Sequence, residues 1–230
     1  MQYVEWNGQQ SERKLILSGV PQGTVLGPLL FTIYIDDLLQ QMESRPEATV
    51  ECFADDAMIY SCGKTLPEAV DQLNTALAHT TEWVKQSNLV LNMDKCVHMI
   101  LASPWSRKNV EASKETVRLG DHELVRVDCV SYLGVKVDQS LQWDKNFEHV
   151  KAKINRGTCL INRAKKGLPK EERLALYHAF VEPHIDFCAP VWSAATDKNL
   201  TLVEKAQRNA IRALADYNSE KTTDELFSEL

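Results

Sequence analysis

The sequence predicts an α+β protein whose first part mixes strands with helices and whose second part is helical throughout. Two observations carry this. Up to about residue 142, short apolar runs of period two are interleaved with amphipathic stretches, whereas after Asp144 the apolar period becomes 3.6 and stays there. At 230 residues the chain is long enough to bury a real core, as one large domain or two small ones. The implied parts are residues 1–142 and 143–230, with no internal repeat.

The elements follow in order. Gln2 to Trp6 and Lys14 to Leu17 read as a hairpin, with Asn7-Gly8 supplying the turn chemistry. Ser18 to Gly23 is a rigid, glycine-punctuated loop. From Thr24, the residues Val25, Leu26, Leu29, Leu30, Ile33 and Leu38 recur at helical spacing and predict a buried helix of about fifteen residues. Pro28 falls in its first turn, where a missing N–H is tolerated. Residues 41 to 48 read as a polar loop, and a second hairpin runs to about Cys62. Leu66-Pro67-Glu68 opens the next helix, whose apolar face is Val70, Leu73, Leu77, Trp83 and Val84. Asn88 and the stretch Leu89 to Asn92 end it. Strands are predicted at Cys96 to Leu101, Thr116 to Leu119, Glu123 to Val127 and Val130 to Val137, with Gly120-Asp121 as a turn and a polar loop from Ser103 to Ser113. Three helices then follow: one from Asp144 to near Gly167, one from Glu171 to Val181 stopped by Pro183, and one through Leu202, Val203, Ala206, Ile211 and Leu214.

Composition narrows the class. The chain is 44% apolar and 25% charged, as in globular proteins. No run approaches the roughly 18 apolar residues of a membrane span, and the N-terminus lacks the basic and apolar regions of a signal peptide. An intracellular protein of cytoplasm or nucleus, with no membrane partner, is the expectation. The six cysteines are dispersed without zinc spacing, which predicts reduced, mostly buried thiols. The net charge of −6 is unevenly placed. Residues 20 to 60 hold seven acids and one base, while residues 144 to 173 hold nine bases and four acids. Such a division fits a metal site beside a polyanion track, with a basic solvated helix face as the alternative for the second segment.

Phe53-Ala54-Asp55-Asp56 is the most informative segment. Aspartate is disfavoured in strands, and two adjacent carboxylates repel, so the pair has no packing role. A turn with solvated acids is one reading. The apolar runs directly before and after the pair favour another: the acids stand at the lip of a packed hairpin, where Mg²⁺ can neutralise them. Tyr34-Ile35-Asp36-Asp37 has a similar tetrapeptide but ends a helical apolar run. It is assigned to the helix terminus, with solvated aspartates.

Several segments, in the same order, resemble the reverse transcriptase of non-long-terminal-repeat (LINE-type) retrotransposons. Ser18-Gly19-Val20-Pro21-Gln22-Gly23-Thr24-Val25-Leu26-Gly27-Pro28-Leu29-Leu30-Phe31 looks like motif B of that family, and Phe53-Ala54-Asp55-Asp56 looks like motif C. Leu89, Leu91 and Asn92 with Lys95 resemble motif D. Tyr132-Leu133-Gly134-Val135, followed by Asp138, Leu141 and Trp143, resembles the primer grip. The resemblance implies a polymerase palm, an antiparallel sheet packed by helices, followed by an all-helical thumb and C-terminal extension. It also implies template-directed DNA synthesis on RNA by two Mg²⁺ ions about 4 Å apart.

The roles implied by the resemblance are these. Asp55 and Asp56 hold metal, and Lys95 meets the leaving pyrophosphate. Pro21, Gln22, Gly23, Phe53 and Ala54 lie against nucleotide or template. Tyr132, Leu133 and Gly134 grip the primer, while Lys151, Lys153 and Arg156 track duplex phosphates. The partners are an RNA template, a DNA primer and deoxynucleoside triphosphates. The pattern also breaks. The family's motif A aspartate precedes motif B by tens of residues, yet residues 1 to 17 contain no aspartate. The fingers are missing too. The expectation is therefore a fragment that is inactive as a polymerase alone and would need fingers and motif A as a partner segment. The alternative is a non-catalytic remnant that binds nucleic acid or protein.

Overall fold

The computed structural model describes residues 3–15, 19, 23–103, 113–215 and 220–228. Its strands are β1 (Glu5–Trp6), β2 (Gln9–Gln10), β3 (Thr49–Phe53), β4 (Asp56–Tyr60), β5 (Val97–His98), β6 (Arg118–Leu119), β7 (His122–Glu123), β8 (Val125–Arg126), β9 (Cys129–Tyr132) and β10 (Val135–Asp138). Its helices are α1 (Gly27–Glu43), α2 (Leu66–Gln86), α3 (Asp144–Ala164), α4 (Lys170–Phe180), α5 (Glu182–Asp186), α6 (Ala189–Trp192), α7 (Asp197–Leu214) and α8 (Thr223–Phe227). The mixture is α+β as expected. Contacts divide the chain into two units, one of Met1–Cys96 with Lys114–Leu124 and the other of Val97–Ser113 with Val125–Leu230.

In the first unit, Asn7 and Gly8 both take positive φ, as a type I′ turn requires, and join β1 to β2. The expected pairing of this strand with Lys14–Leu17 is corrected at Glu5 and Trp6, while Ile16 and Leu17 lie outside the described residues. A two-residue turn pairs the residues that flank it, so Gln9–Gln10 takes that place. Helix α1 carries Pro28 in its first turn. Its C-terminal half is core, with Leu38 and Met42 each 3% exposed, but Leu29 and Ile33 are 56% and 63% exposed. The expectation of a buried helix therefore holds only from Ile35 onward, where α1 meets Ala76, Trp83 and Val84 of α2.

Hairpin β3–β4 pairs Thr49 with Tyr60 through to Phe53 with Asp56. Alternation puts Val50 and its cross-strand partner Ile59 on one face, and both pack on the α1–α2 cluster. Helix α2 begins where predicted. The Thr65 hydroxyl accepts from the Glu68 N–H, and the Glu68 carboxylate accepts from the Lys64 N–H at 2.9 Å. Its other flank, Val70 and Leu77, packs on Val117 and Leu119 beside the β6–β7 hairpin.

In the second unit, β5 runs parallel to β8. Residues 130–137 form a hairpin, β9–β10, where a single strand was predicted. Leu133 and Gly134 both take positive φ between them, and Tyr132 pairs with Val135. The helices enclose a core in which Phe147, Ile154, Ile161, Val181, Ala210 and Ile211 are fully buried. Gly157 lets α3 approach the end of α4: a Cβ there would stand 2.5 Å from the Phe180 carbonyl oxygen. Pro183 opens α5 and does not itself stop α4, whose last residue is Phe180. Proline in a first turn loses nothing, so it serves as a start as readily as a stop.

All six cysteines are free, as expected, but none is buried. Burial is nonetheless enough to push the Cys52 and Cys96 thiols up from their ordinary value. Among the described residues no helix is long and apolar enough to cross a membrane.

Candidate functional site

The β3–β4 turn consists of Ala54 and Asp55, and Asp56 is the first residue of β4. Ala54 holds φ at +52°, a conformation that costs a non-glycine residue about 1 kcal/mol. The packing of Val50 and Ile59 fixes the register, so the turn has to form where it does. Asp56 then lies opposite Phe53 on the face turned away from that cluster. Both aspartates are exposed, and neither carboxylate has a hydrogen bond or ion pair among the described residues. Two adjacent, unpaired carboxylates are the hard oxygen donors that Mg²⁺ takes. They do not complete a site, because no group of three or more potential metal-ligating His, Cys, Asp or Glu side chains occurs among the described residues.

The look-alike Tyr34-Ile35-Asp36-Asp37 lies within α1 and not at its end, which corrects the helix-terminus assignment. Nor is Asp37 merely solvated. Its carboxylate accepts from the Trp83 indole N–H at 2.7 Å and from Gln41 Nε2 at 3.1 Å. The Tyr34 hydroxyl donates to the Ser87 carbonyl. The tetrapeptide thus fastens α1 to α2, a structural task that its sequence did not reveal.

The other predicted residues separate into groups. Pro21 and Gln22 lie outside the described residues. Gly23 takes φ +80°, which a side chain would strain, and a Cβ there would meet nothing within 4 Å. Lys95 is exposed at the end of a 3₁₀ turn, Met93–Lys95, in the same unit as Asp55. Tyr132, Leu133 and Gly134 form the bend of the β9–β10 hairpin in the second unit. Gly134 is favoured there by its φ of +85°, and a Cβ would also stand a tight 3.2 Å from the Phe187 ring. On α3, Lys153 and Arg156 share one flank with His149, while helical periodicity places Lys151 on the opposite flank.

Asp138 turned out to organise the segment after the hairpin. It is 8% exposed. Its carboxylate accepts from the Ser140 N–H at 3.0 Å, the Trp143 N–H at 2.8 Å, the Gln142 N–H at 3.4 Å and the Ser140 hydroxyl. Burial alone would raise its pKa, but these hydrogen bonds together hold it below the ordinary carboxylate value. They also secure Leu141 and Trp143, both at positive φ. Asn199 closes the same corner, donating to the Gln142 carbonyl at 3.1 Å and to Asp144 at 2.7 Å.

Beside this hairpin is a cavity of about 270 Å³, lined among others by Gly134, Asn146, His149, Lys153, Phe187 and Trp192. Sequence reading did not anticipate it, because its walls come from separate segments. His149 is held below its ordinary pKa first by burial and then by Lys153, Lys136, Arg156 and His184. His184 is lowered by burial and Lys153.

Comparison with known proteins agrees with the family resemblance. The family described as reverse transcriptase (RNA-dependent DNA polymerase) matches residues 1–137. The RNA-directed DNA polymerase from mobile element jockey of Drosophila funebris is 25% identical over 92% of the chain and 23% of its own length. The probable RNA-directed DNA polymerase from transposon X-element of Drosophila melanogaster is 22% identical, with the same two coverages of 92% and 23%. A retrovirus-related Pol polyprotein from a type-1 retrotransposable element R1 of Nasonia vitripennis is 24% identical over 86% of the chain and 48% of its own length. The chain thus spans about a quarter of the length of the first of these relatives. No solved structure matches it significantly.

Proposed function

The chain belongs to the reverse transcriptase (RNA-dependent DNA polymerase) family, alongside polymerases of non-long-terminal-repeat retrotransposons, and on that premise we propose that it supplies one part of a nucleotidyl-transfer centre. The observation that carries this is the exposed, unpartnered Asp55-Asp56 pair at a turn whose register is fixed by core packing. Mg²⁺, when bound, would neutralise phosphate charge and lower the pKa of a primer hydroxyl. Asp55 and Asp56 would hold it, Asp55 as the direct ligand. Phe53, beside them and exposed, offers an aromatic face to a base, and Lys95 offers a positive charge to a departing pyrophosphate. Gly23 gives the backbone a clear approach to nucleotide or template, a contact the motif assigns to Pro21 and Gln22 as well.

The first unit then corresponds to a palm segment, and the β9–β10 hairpin with α3 to α8 corresponds to primer grip and thumb. Tyr132, Leu133 and Gly134 position the primer strand. Lys153 and Arg156 meet duplex phosphates from one flank of α3, while Lys151 contributes from the other. The ligand set for two metal ions needs a further carboxylate, and among the described residues none joins Asp55 and Asp56 in a group of three. By itself the chain therefore binds nucleic acid without extending a primer. Binding of an RNA–DNA hybrid, measured by anisotropy, should weaken as salt rises and weaken further in Lys153→Ala plus Arg156→Ala. Mg²⁺-dependent primer extension by residues 1–230 alone would overturn this reading.

A further inference from the structure

The cavity beside Gly134 joins Lys153 of the phosphate track to an aromatic wall and a buried donor that the track does not explain. One side is aromatic: Phe187 is half exposed, and the buried Trp192 ring is braced edge-on against Phe147 at 5.2 Å between centroids. Lys153 and His149 stand on the α3 side, and neither Lys153 nor nearby Arg156 has a carboxylate partner among the described residues. Asn146 lines the cavity and is 2% exposed. Its Oδ1 accepts from the Lys136 N–H at 3.1 Å, but its Nδ2 has no protein partner. A buried donor left unpaired is costly, so an acceptor on an occupant would relieve it. Three features thus coincide: a ring-sized apolar wall, a cationic rim and an unsatisfied amide donor. At about 270 Å³, the space is just below the ~300–1,000 Å³ of pockets for drug-sized ligands, which suits a single ring system.

We propose that this cavity is a binding site for one nucleotide unit, an unpaired base against Phe187 and Trp192 with its phosphate at Lys153. The base supplies the flat aromatic surface and the ring acceptors, and the phosphate supplies the charge that the rim lacks. The depressed histidines are consistent with this: burial lowers both first, and the positive charge of Lys153 lowers both further. Free nucleotide and an unpaired residue of a strand share this chemistry. The proposal rests on the polymerase-fragment reading only for which of these two is the source.

The test is calorimetric titration of the full chain with dAMP, and with deoxyribose 5-phosphate as the probe lacking a base. Saturable one-site binding of dAMP is expected, with the sugar phosphate about tenfold weaker or worse. Lys153→Gln should weaken dAMP about fivefold, and Phe187→Ala by a similar factor, with far-UV circular dichroism confirming that both remain folded. Equal binding of the sugar phosphate, or dAMP binding unchanged in Lys153→Gln, overturns the proposal. If Phe187→Ala unfolds, Lys153→Gln and the sugar phosphate still decide. Competition by a 5′-phosphorylated tetradeoxyadenylate more effective than dAMP itself identifies a strand as the source, and absence of competition identifies free nucleotide. Hybrid binding without dAMP binding overturns the pocket and leaves the fragment reading standing. The reverse outcome keeps the pocket and overturns that reading.

Discussion

Replacing Asp138 by alanine should destabilise the second unit by about 3 kcal/mol. The carboxylate is nearly buried and makes two good hydrogen bonds to N–H groups, at 2.8 and 3.0 Å, plus a longer one at 3.4 Å and one from the Ser140 hydroxyl. Hydrogen bonds to a charged acceptor contribute about 1.5–3 kcal/mol each, and counting only the two good ones at the low end gives ~3 kcal/mol. The weaker two offset the recovered cost of desolvating the charge. Leu141 and Trp143 would also lose what secures their positive φ. Urea unfolding at pH 7, followed by far-UV circular dichroism, measures the change. Asp138→Asn, which keeps one acceptor oxygen, should lose about half as much. The folded pKa is lowered, so the stabilisation is fully present above the unfolded pKa and is lost as pH falls through the folded value. The wild type should therefore lose more stability than Asp138→Asn on acidification below pH ~4. A loss under about 0.5 kcal/mol for Asp138→Ala would show that the corner holds itself without the carboxylate, and would refute the reasoning.

Three other outcomes follow from the geometry. Gly157→Ala should cost about 2–3 kcal/mol in thermal or urea unfolding, because the added methyl meets the Phe180 carbonyl at 2.5 Å and Val181 at 2.7 Å; no change would mean α3 and α4 can separate freely. Asp37→Ala should cost about 1–2 kcal/mol by leaving the indole N–H of buried Trp83 unpaired, while Asp36→Ala, whose carboxylate bonds only the exposed Gln40, should cost under about 0.5 kcal/mol. The exposed Leu29 and Ile33 face should drive self-association, and Leu29→Ser plus Ile33→Ser should shift sedimentation toward monomer. A wild-type chain that sediments as a clean monomer contradicts that expectation.

How far the sequence reached depends on whether the deciding interaction was local. The Asp-Asp hairpin and α2 were legible because register, cap and apolar period all lie in adjacent residues. Leu133-Gly134 was not read as a turn. Leucine at positive φ has no sequence signature, and the flanking valines extend the apparent strand. The exposed start of α1 was misread because periodicity reports an apolar face without reporting what covers it. The loop around Asp138 was opaque for a related reason: one carboxylate gathers residues up to five positions away, in conformations that propensity disfavours. At the candidate site, the sequence located the carboxylate pair but not its geometry. The cavity assembled from α3, α5, α6 and the β9–β10 hairpin left no trace in any single segment.

The central claim is that Asp55 belongs to a polymerase metal centre completed by a carboxylate that the described residues do not place in a group with it. Primer extension on an RNA template tests it most directly. The chain is supplied with a segment of the same family carrying the fingers and the motif A aspartate, joined or in trans, in the presence of Mg²⁺. The account predicts extension that falls by about a hundredfold or more in Asp55→Ala while hybrid affinity is unchanged. Extension that survives Asp55→Ala, or hybrid binding with no Asp55-dependent product, would contradict it, the latter leaving a binding remnant of the family.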